Sequence, residues 1–210
     1  MTERRYTAGA IEVRSEGDGM TIVGHASVFD TPYEIGGFRE QVARGAFRKS
    51  LKEGDVAALW NHDPNVVLGR NKSGTLRLTE DDSGLRYEVD LPDTQPARDL
   101  YTLIQRGDVY QSSFAFEIQR EKWDKAEEEN GLPLRTIKQV RLFDVSPVTY
   151  PASPSTDVDI ARAMRSMAEA FSEEATTEAQ AVAQPETAPD ATPPQEPKRI
   201  HPIIVKGLNG

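Results

Sequence analysis

Short runs of alternating apolar and polar residues, separated by turn residues, make up most of the first 155 positions of the chain. The segments MTIVGHASVFD (20–30), VAALWNHD (56–63) and RTIKQVRLFDVSPVTYPA (135–152) have the apolar content of strands. In residues 75–91, apolar and polar residues alternate both before and after the polar turn at 81–84, which is typical of a β-hairpin. This part of the chain is therefore predicted to be mainly β.

Three segments have helical spacing of apolar residues instead, and they are residues 45–54, 95–108 and 160–175. The first ends at Gly54 and the second has Gly107 past its last apolar residue, as helix C-termini often do. Residues 121–133 are a polar excursion with Asn130–Gly131 as its turn. The predicted fold class is α+β and mainly β: an antiparallel sheet, curled into a barrel, with about three helices packed around it.

The chain changes character near residue 160, which divides it into four predicted parts. Residues 1–160 form the folded domain and 161–175 a C-terminal helix. Residues 176–197 hold five prolines, five alanines and several acids, too few large apolar groups to offset the entropy of ordering, so they are predicted to be a disordered acidic linker. Residues 198–210, KRIHPIIVKGLNG, form a short basic and apolar tail of the kind that carries docking motifs or frays.

Composition excludes several classes of function. The 210 residues carry a net charge of −9, so no basic field for nucleic acid is visible. The absence of cysteine excludes disulfides, thiolate catalysis and cysteine-ligated zinc. No apolar run approaches the roughly 20 residues that span a bilayer, and the first residues lack a secretory signal, so we expect a soluble intracellular protein without membrane contact. Phosphate loops and metal-binding motifs are also missing, so no metal or other cofactor is expected.

The stretch VYQSSFAFEI (109–118) places Ser113 on the strand face opposite Phe114 and Phe116, next to the small Ala115. A serine hydroxyl becomes a nucleophile only when a base accepts its proton, and that base would have to come from elsewhere in the fold. From the residues alone, Ser112 and Ser113 could equally be ordinary polar residues at the start of a strand.

His62 is the main candidate for that base, because it lies where an apolar strand runs into a turn and because histidine takes up protons near neutral pH. Asp144 alternates with Val140 and Leu142 on one strand face, and a carboxylate there needs a hydrogen-bond partner such as a histidine N–H. The alternatives are a strand cap for His62 and an arginine partner for Asp144. Asp63 is another acid that could orient the histidine, although it points away from His62 on an extended chain.

Six motifs in order resemble the prohead (capsid maturation) serine proteases of tailed bacteriophages, the HK97-type family. They are GHASVFD, GAFRKSL, LWNHDPNVVLGR, GLRYEVDLPDT, LIQRGDVYQSSFAFEI and LFDVSPVTYPASPSTDV, between about Gly24 and Asp157. The family's histidine motif, HDP followed by LGR, falls on His62. Its nucleophile motif, similar to M-S-F-G-F, falls on SSFAF and so on Ser113, with a serine before the nucleophile and Ala115 in place of the glycine.

The resemblance implies a closed antiparallel β-barrel of the herpesvirus assemblin type for the domain at 1–160. It also implies a catalytic set of Ser113, His62 and an acid in the later strand, Asp144. Asp63 and His25 remain minor candidates for the third member, the latter because assemblins use a second histidine there.

The function implied is that of a serine endopeptidase that cleaves the major capsid protein and its scaffold segment during procapsid maturation. It would act in the host cytoplasm, inside the assembling procapsid, would cleave itself, and would need no cofactor; a homodimer is left open. The alternative from another class is a non-catalytic capsid scaffold or assembly protein with a degenerate protease domain. A more distant alternative is a host binding module without a capsid partner.

Overall fold

The computed structural model describes residues 2–7, 10–16, 19–126, 128, 131–150 and 157–182. Its strands are β1 (Glu3–Thr7), β2 (Glu12–Glu16), β3 (Gly19–Val28), β4 (Tyr33–Ile35), β5 (Phe38–Val42), β6 (Ala57–Trp60), β7 (Asp63–Arg70), β8 (Leu76–Glu80), β9 (Gly84–Asp90), β10 (Gln111–Asp124) and β11 (Leu134–Val148). Its α-helices are α1 (Arg48–Glu53), α2 (Gln95–Arg106) and α3 (Asp157–Val182). The chain is thus mainly β with three helices in the described residues, as the apolar pattern predicts.

The strands form two sheets. The larger has the order β1-β10-β11-β5-β4, with β6 paired to β11 and β7 to β6, and the smaller has the order β2-β3-β9-β8. Most pairs are antiparallel, but β11 runs parallel to β5 and to β6. Neither sheet closes on itself in the described part of the chain, so the expectation of a closed barrel does not hold. Strands such as β1 and β8 remain edges of their sheets. The two sheets pack on each other through their side chains.

One apolar core lies between the sheets and fixes the orientation of the long strand β10. Phe114 and Phe116 stack with their ring centroids 4.7 Å apart, and Phe47 meets Phe114 edge-on at 5.5 Å. The smaller sheet contributes side chains such as Tyr87 and Val89 to the same cluster. Since the phenyl groups of β10 are buried on this side, the side chains between them must point to the other face.

Strand β10 continues to Asp124, through residues that the sequence predicted to be a polar excursion. Trp123 explains the difference, because its ring is buried against Phe38, with centroids 5.1 Å apart, and against helix α3. A single tryptophan among charged residues gives little apolar periodicity, so the pattern alone could not reveal the strand.

Helix α3 begins before the predicted helix at 161–175 and ends after it, so residues 176–182 are helical and not linker. Those residues include Glu178, Ala179, Gln180 and Ala181, which favour helix, and the first proline follows only at Pro185. The remaining predicted linker (183–197), the tail (198–210) and Asn130 of the predicted turn lie outside the described residues. None of the helices described is both long and apolar enough to cross a membrane.

Candidate active site

Strand β10 carries two serines that point to opposite sides of the larger sheet. Ser112 lies on the core side, where its hydroxyl is 2.8 Å from the hydroxyl of Tyr87. Ser113 lies on the other side and pairs across the sheet with Ser146 on β11 and with Tyr6 on β1. Both serines are fully buried, so burial does not distinguish them, but their partners do.

His62 is held by a tight turn between β6 and β7. Asn61 and His62 have φ angles of 53° and 58°, as in a two-residue hairpin turn whose central residues are both left-handed. Asn61 fastens this turn to the end of β11: its backbone N–H donates to the carbonyl of Pro147 at 3.0 Å, and its side-chain oxygen accepts from the N–H of Thr149 at 2.8 Å. The imidazole is thereby fixed over the same face of the sheet as Ser113.

Asp144 reaches that face through a β-bulge. Asp144 lies opposite Ala115 and Leu142 lies opposite Phe116, so Phe143 has no partner in the pairing. The extra residue reverses the alternation of β11, and the expectation that Asp144 shares a face with Leu142 is therefore wrong. Leu142 packs in the core, whereas Asp144 joins Ser113 and Ala115 on the opposite face.

Three side chains form a continuous hydrogen-bonded series. His62 Nε2 is 2.7 Å from Ser113 Oγ, and His62 Nδ1 is 2.6 Å from Asp144 Oδ1. The same carboxylate oxygen accepts a second hydrogen bond from the hydroxyl of Ser146 at 2.8 Å. All four residues are buried. An acid on Nδ1 fixes the tautomer in which Nε2 can accept a proton, which is the arrangement that nucleophilic serine chemistry needs.

The two alternative partners of His62 are engaged elsewhere. His25 Nε2 is 2.7 Å from a carboxylate oxygen of Asp81, at the tip of the β8–β9 hairpin. Asp63 accepts hydrogen bonds from the backbone and side chain of Asn65 within its own exposed turn. Of the acids and histidines considered from the sequence, the structure brings Asp144 to His62.

Strand β1 adds a contact that the sequence did not predict. The hydroxyl of Ser113 is 2.8 Å from the backbone carbonyl oxygen of Arg5, and Arg5 itself lies opposite Phe114. The buried residues of β1 are polar or charged, namely Glu3, Arg5 and Thr7. Because this strand has no apolar alternation, hydrophobic periodicity could not identify it.

The side chain of Arg5 enters a buried cluster of charges on the core side of the larger sheet. It bonds Glu40 through two nitrogens, at 2.6 and 3.1 Å, and Glu3 at 2.7 Å. Arg135 contacts Glu40 at 3.0 Å. Burial by itself would raise the pKa of Glu40, but Arg5 and Arg135 hold that pKa below its usual range, so the carboxylate is charged at neutral pH.

Comparison with known proteins places this chain in a family. A family model of the caudovirus prohead serine proteases matches residues 9–170, which include Ser113, His62 and Asp144. No curated protein and no solved structure gives a significant match. Since the matched region covers well over half of the chain, the chain belongs to the caudovirus prohead serine protease family.

Proposed function

We propose that the chain is a serine endopeptidase in which Ser113 is the nucleophile, His62 the general base and Asp144 the residue that orients His62. The supporting observation is the series of hydrogen bonds from Ser113 Oγ through the imidazole to Asp144 Oδ1, at 2.7 and 2.6 Å. The family match supports a serine peptidase independently of this geometry.

The reaction would proceed in two halves. Ser113 Oγ attacks the carbonyl carbon of the peptide bond while His62 Nε2 takes the hydroxyl proton, and the resulting imidazolium gives that proton to the leaving amine. An acyl-enzyme ester remains on Ser113. A water molecule, deprotonated by His62, then attacks the ester and releases the new carboxyl terminus, which returns Ser113 and His62 to their starting states. Asp144 keeps the proton on Nδ1 and stabilises the positive ring in both halves.

The proposed substrates are the major capsid protein and its scaffold segment, cleaved inside the assembling procapsid in the host cytoplasm, and the protease chain itself. Family membership supports action on capsid proteins. The net charge of −9 gives the enzyme no general attraction to the nucleic acid that later fills the capsid.

Labelling with a fluorophosphonate tests the proposal, because such reagents modify only an activated serine hydroxyl. The wild-type chain should be labelled at Ser113, as located by mass spectrometry, and should process the capsid precursor when the two are co-expressed. Ser113→Ala should abolish both activities. Ser112→Ala is the matched control and should retain most of both, since Ser112 contacts Tyr87 and not His62.

The result that would refute the proposal is normal processing by both serine variants. A non-catalytic scaffold with a degenerate protease domain predicts no labelling of the folded wild-type chain and no change in the capsid precursor. The hydrogen-bonded Ser113, His62 and Asp144 favour the enzyme over this alternative.

A further inference from the structure

Strand β1 lies at the edge of the larger sheet, directly beside the strand that carries Ser113. It runs antiparallel to β10, with Glu3 opposite Phe116 and Thr7 opposite Ser112, so Ser113 lies within the pairing, one position from its end. Extended peptides commonly bind proteins by adding such a strand to an exposed sheet edge. Without β1, the edge of β10 next to the nucleophile would be open to a peptide from another chain.

The carbonyl of Arg5 competes with His62 for the proton of Ser113. The hydroxyl oxygen lies 2.8 Å from the Arg5 oxygen and 2.7 Å from His62 Nε2, but a serine hydroxyl has a single hydrogen to donate. When that hydrogen points to Arg5, it cannot pass to the base. Strand β1 therefore covers the nucleophile and also diverts its proton.

Buried ion pairs hold β1 in place. The buried charges that would remain without β1 still balance each other. The strand contributes one buried anion, Glu3, and one buried cation, Arg5. Glu40 pairs with Arg5, while Arg135 and Arg162 pair with Glu3. Glu121 completes the cluster by pairing with Arg135. Removal of β1 takes away one buried charge of each sign, so the remaining buried site carries no net charge. The site can therefore accept a different strand with the same pattern.

We propose that β1 occupies the position of a substrate strand on β10, and that an extended peptide with arginine or lysine in the place of Arg5 replaces it during cleavage. This inference rests on the proposed function for its catalytic meaning. The residue in that place presents its carbonyl to Ser113 and its side chain to Glu40. Cleavage is then expected on the carboxyl side of a basic residue.

Glu40 is the residue that gives this preference. Its carboxylate has no exposed surface, accepts two hydrogen bonds from the Arg5 guanidinium, and also accepts from the hydroxyl of Tyr33 at 2.7 Å. A neutral side chain in the place of Arg5 would leave part of this buried acceptor unpaired. The family match begins at residue 9, after β1, so this strand is a feature of the chain beyond the matched region.

A reversible lock on β1 tests the proposal in the full chain. Arg4 lies opposite Ala115, and Arg4→Cys/Ala115→Cys would join the strands by a disulfide in a chain that has no other cysteine. Fluorophosphonate labelling of Ser113 should be about tenfold slower in the oxidised form than in the reduced form. The labelling rates of wild type and of Arg4→Cys should not change on oxidation or on reduction. Equal rates in the two forms of the double variant would overturn the proposal.

The opposite change should open the site. Arg5→Gln removes two of the bonds to Glu40, so it should loosen β1 and speed the labelling of Ser113 by about tenfold. A purely structural role for β1 predicts the reverse, since a damaged site would be labelled more slowly. Slower labelling of Arg5→Gln would therefore contradict the proposal.

Peptide binding separates this inference from the proposed function, because it needs no reaction. The probe is a fluorescent peptide with the sequence of residues 2–8, TERRYTA, which contains β1. It is added to Arg5→Gln/Ser113→Ala and its binding is followed by fluorescence anisotropy. The peptide should bind, a lysine in the place of Arg5 should preserve binding, and a glutamine there should weaken it about tenfold. Absence of binding, or equal binding of all three peptides, overturns the inference. Binding with this preference but no labelling in any variant refutes the proposed function alone.

Discussion

Asp144 lies directly opposite Ala115 across strands β10 and β11, on the same face of the sheet as Ser113, while Leu142 two positions earlier lies on the core face. The unpaired Phe143 between them makes this possible, because one extra residue reverses the alternation of a strand. The acid of the candidate site is thus positioned by a local irregularity, while its neighbours Leu142 and Val145 continue to pack in the core.

Deletion of Phe143 should leave the acid in place. A ladder without the bulge still puts Leu142 opposite Phe116 and Asp144 opposite Ala115, so labelling of Ser113 by a fluorophosphonate should persist at a reduced rate. Deletion of Val145 is the control, since closing the bulge then moves Asp144 opposite Phe114 on the core face. That variant should not be labelled, and equal labelling of the two deletions would contradict the role assigned to the bulge.

Asp144→Asn should slow the labelling of Ser113 on the order of 10³–10⁴-fold with little change in overall structure. The amide can donate to Nδ1, which favours the tautomer with the proton on Nε2 and blocks acceptance of the serine proton. Ser146→Ala removes one hydrogen-bond donor to the Asp144 carboxylate, and it should slow the labelling of Ser113 about tenfold. Labelling rates would test both predictions, and far-UV circular dichroism would check that each variant keeps its fold. An undiminished labelling rate in Asp144→Asn would remove the acid from the mechanism.

The sequence predicts those parts of the fold in which apolar residues recur with the period of a strand or a helix. The β8–β9 hairpin and helix α2 follow from it, because Leu76, Leu85, Tyr87 and Val89, like Leu100 and Ile104, are buried where the pattern requires. The strand character of β10 and the direction of Ser113 follow from Phe114 and Phe116. The pairing of Ser113 with His62 was expected from motif resemblance, since nothing in their spacing of 51 positions brings them together.

Other features depend on contacts that periodicity does not encode. Glu3 and Arg5 of strand β1 are buried because they form ion pairs with residues far along the chain. A polar pattern of this kind in a sequence predicts a surface segment. The bulge at Phe143 leaves no mark in the apolar pattern, so the sequence places Asp144 on the wrong face of its strand. The open sheets likewise depend on which edges find partners, which is a property of the whole fold.

The hydroxyl pair of Tyr87 and Ser112 should stabilise the core without taking part in catalysis. Both groups are buried, and burial raises the pKa of the Tyr87 hydroxyl, which therefore stays protonated and able to donate. Tyr87→Phe should lower the free energy of unfolding by about 1–3 kcal/mol, because it leaves the Ser112 hydroxyl without this partner. Urea denaturation of Tyr87→Phe, Ser112→Ala and the double variant forms the test. The double variant should cost less than the sum of the two single changes, and strict additivity would show that the pair is not coupled.

Gly36 should be less replaceable than Gly74, although both glycines have left-handed backbones, with φ angles of 46° and 76°. An alanine at either position pays the conformational cost, about 1–2 kcal/mol. At Gly36, however, the new Cβ would lie 2.6 Å from the terminal methyl of Ile160 on helix α3, whereas at Gly74 it would have no neighbour within 4 Å. Crowding at Gly36 should add about 0.5–1.5 kcal/mol to the loss, since the Ile160 side chain must turn away from the new Cβ. Urea denaturation of Gly36→Ala and Gly74→Ala measures the difference directly. Equal losses of unfolding free energy would mean that the Ile160 side chain moves away from the new Cβ without cost, and that its contact with Gly36 does not restrict substitution there.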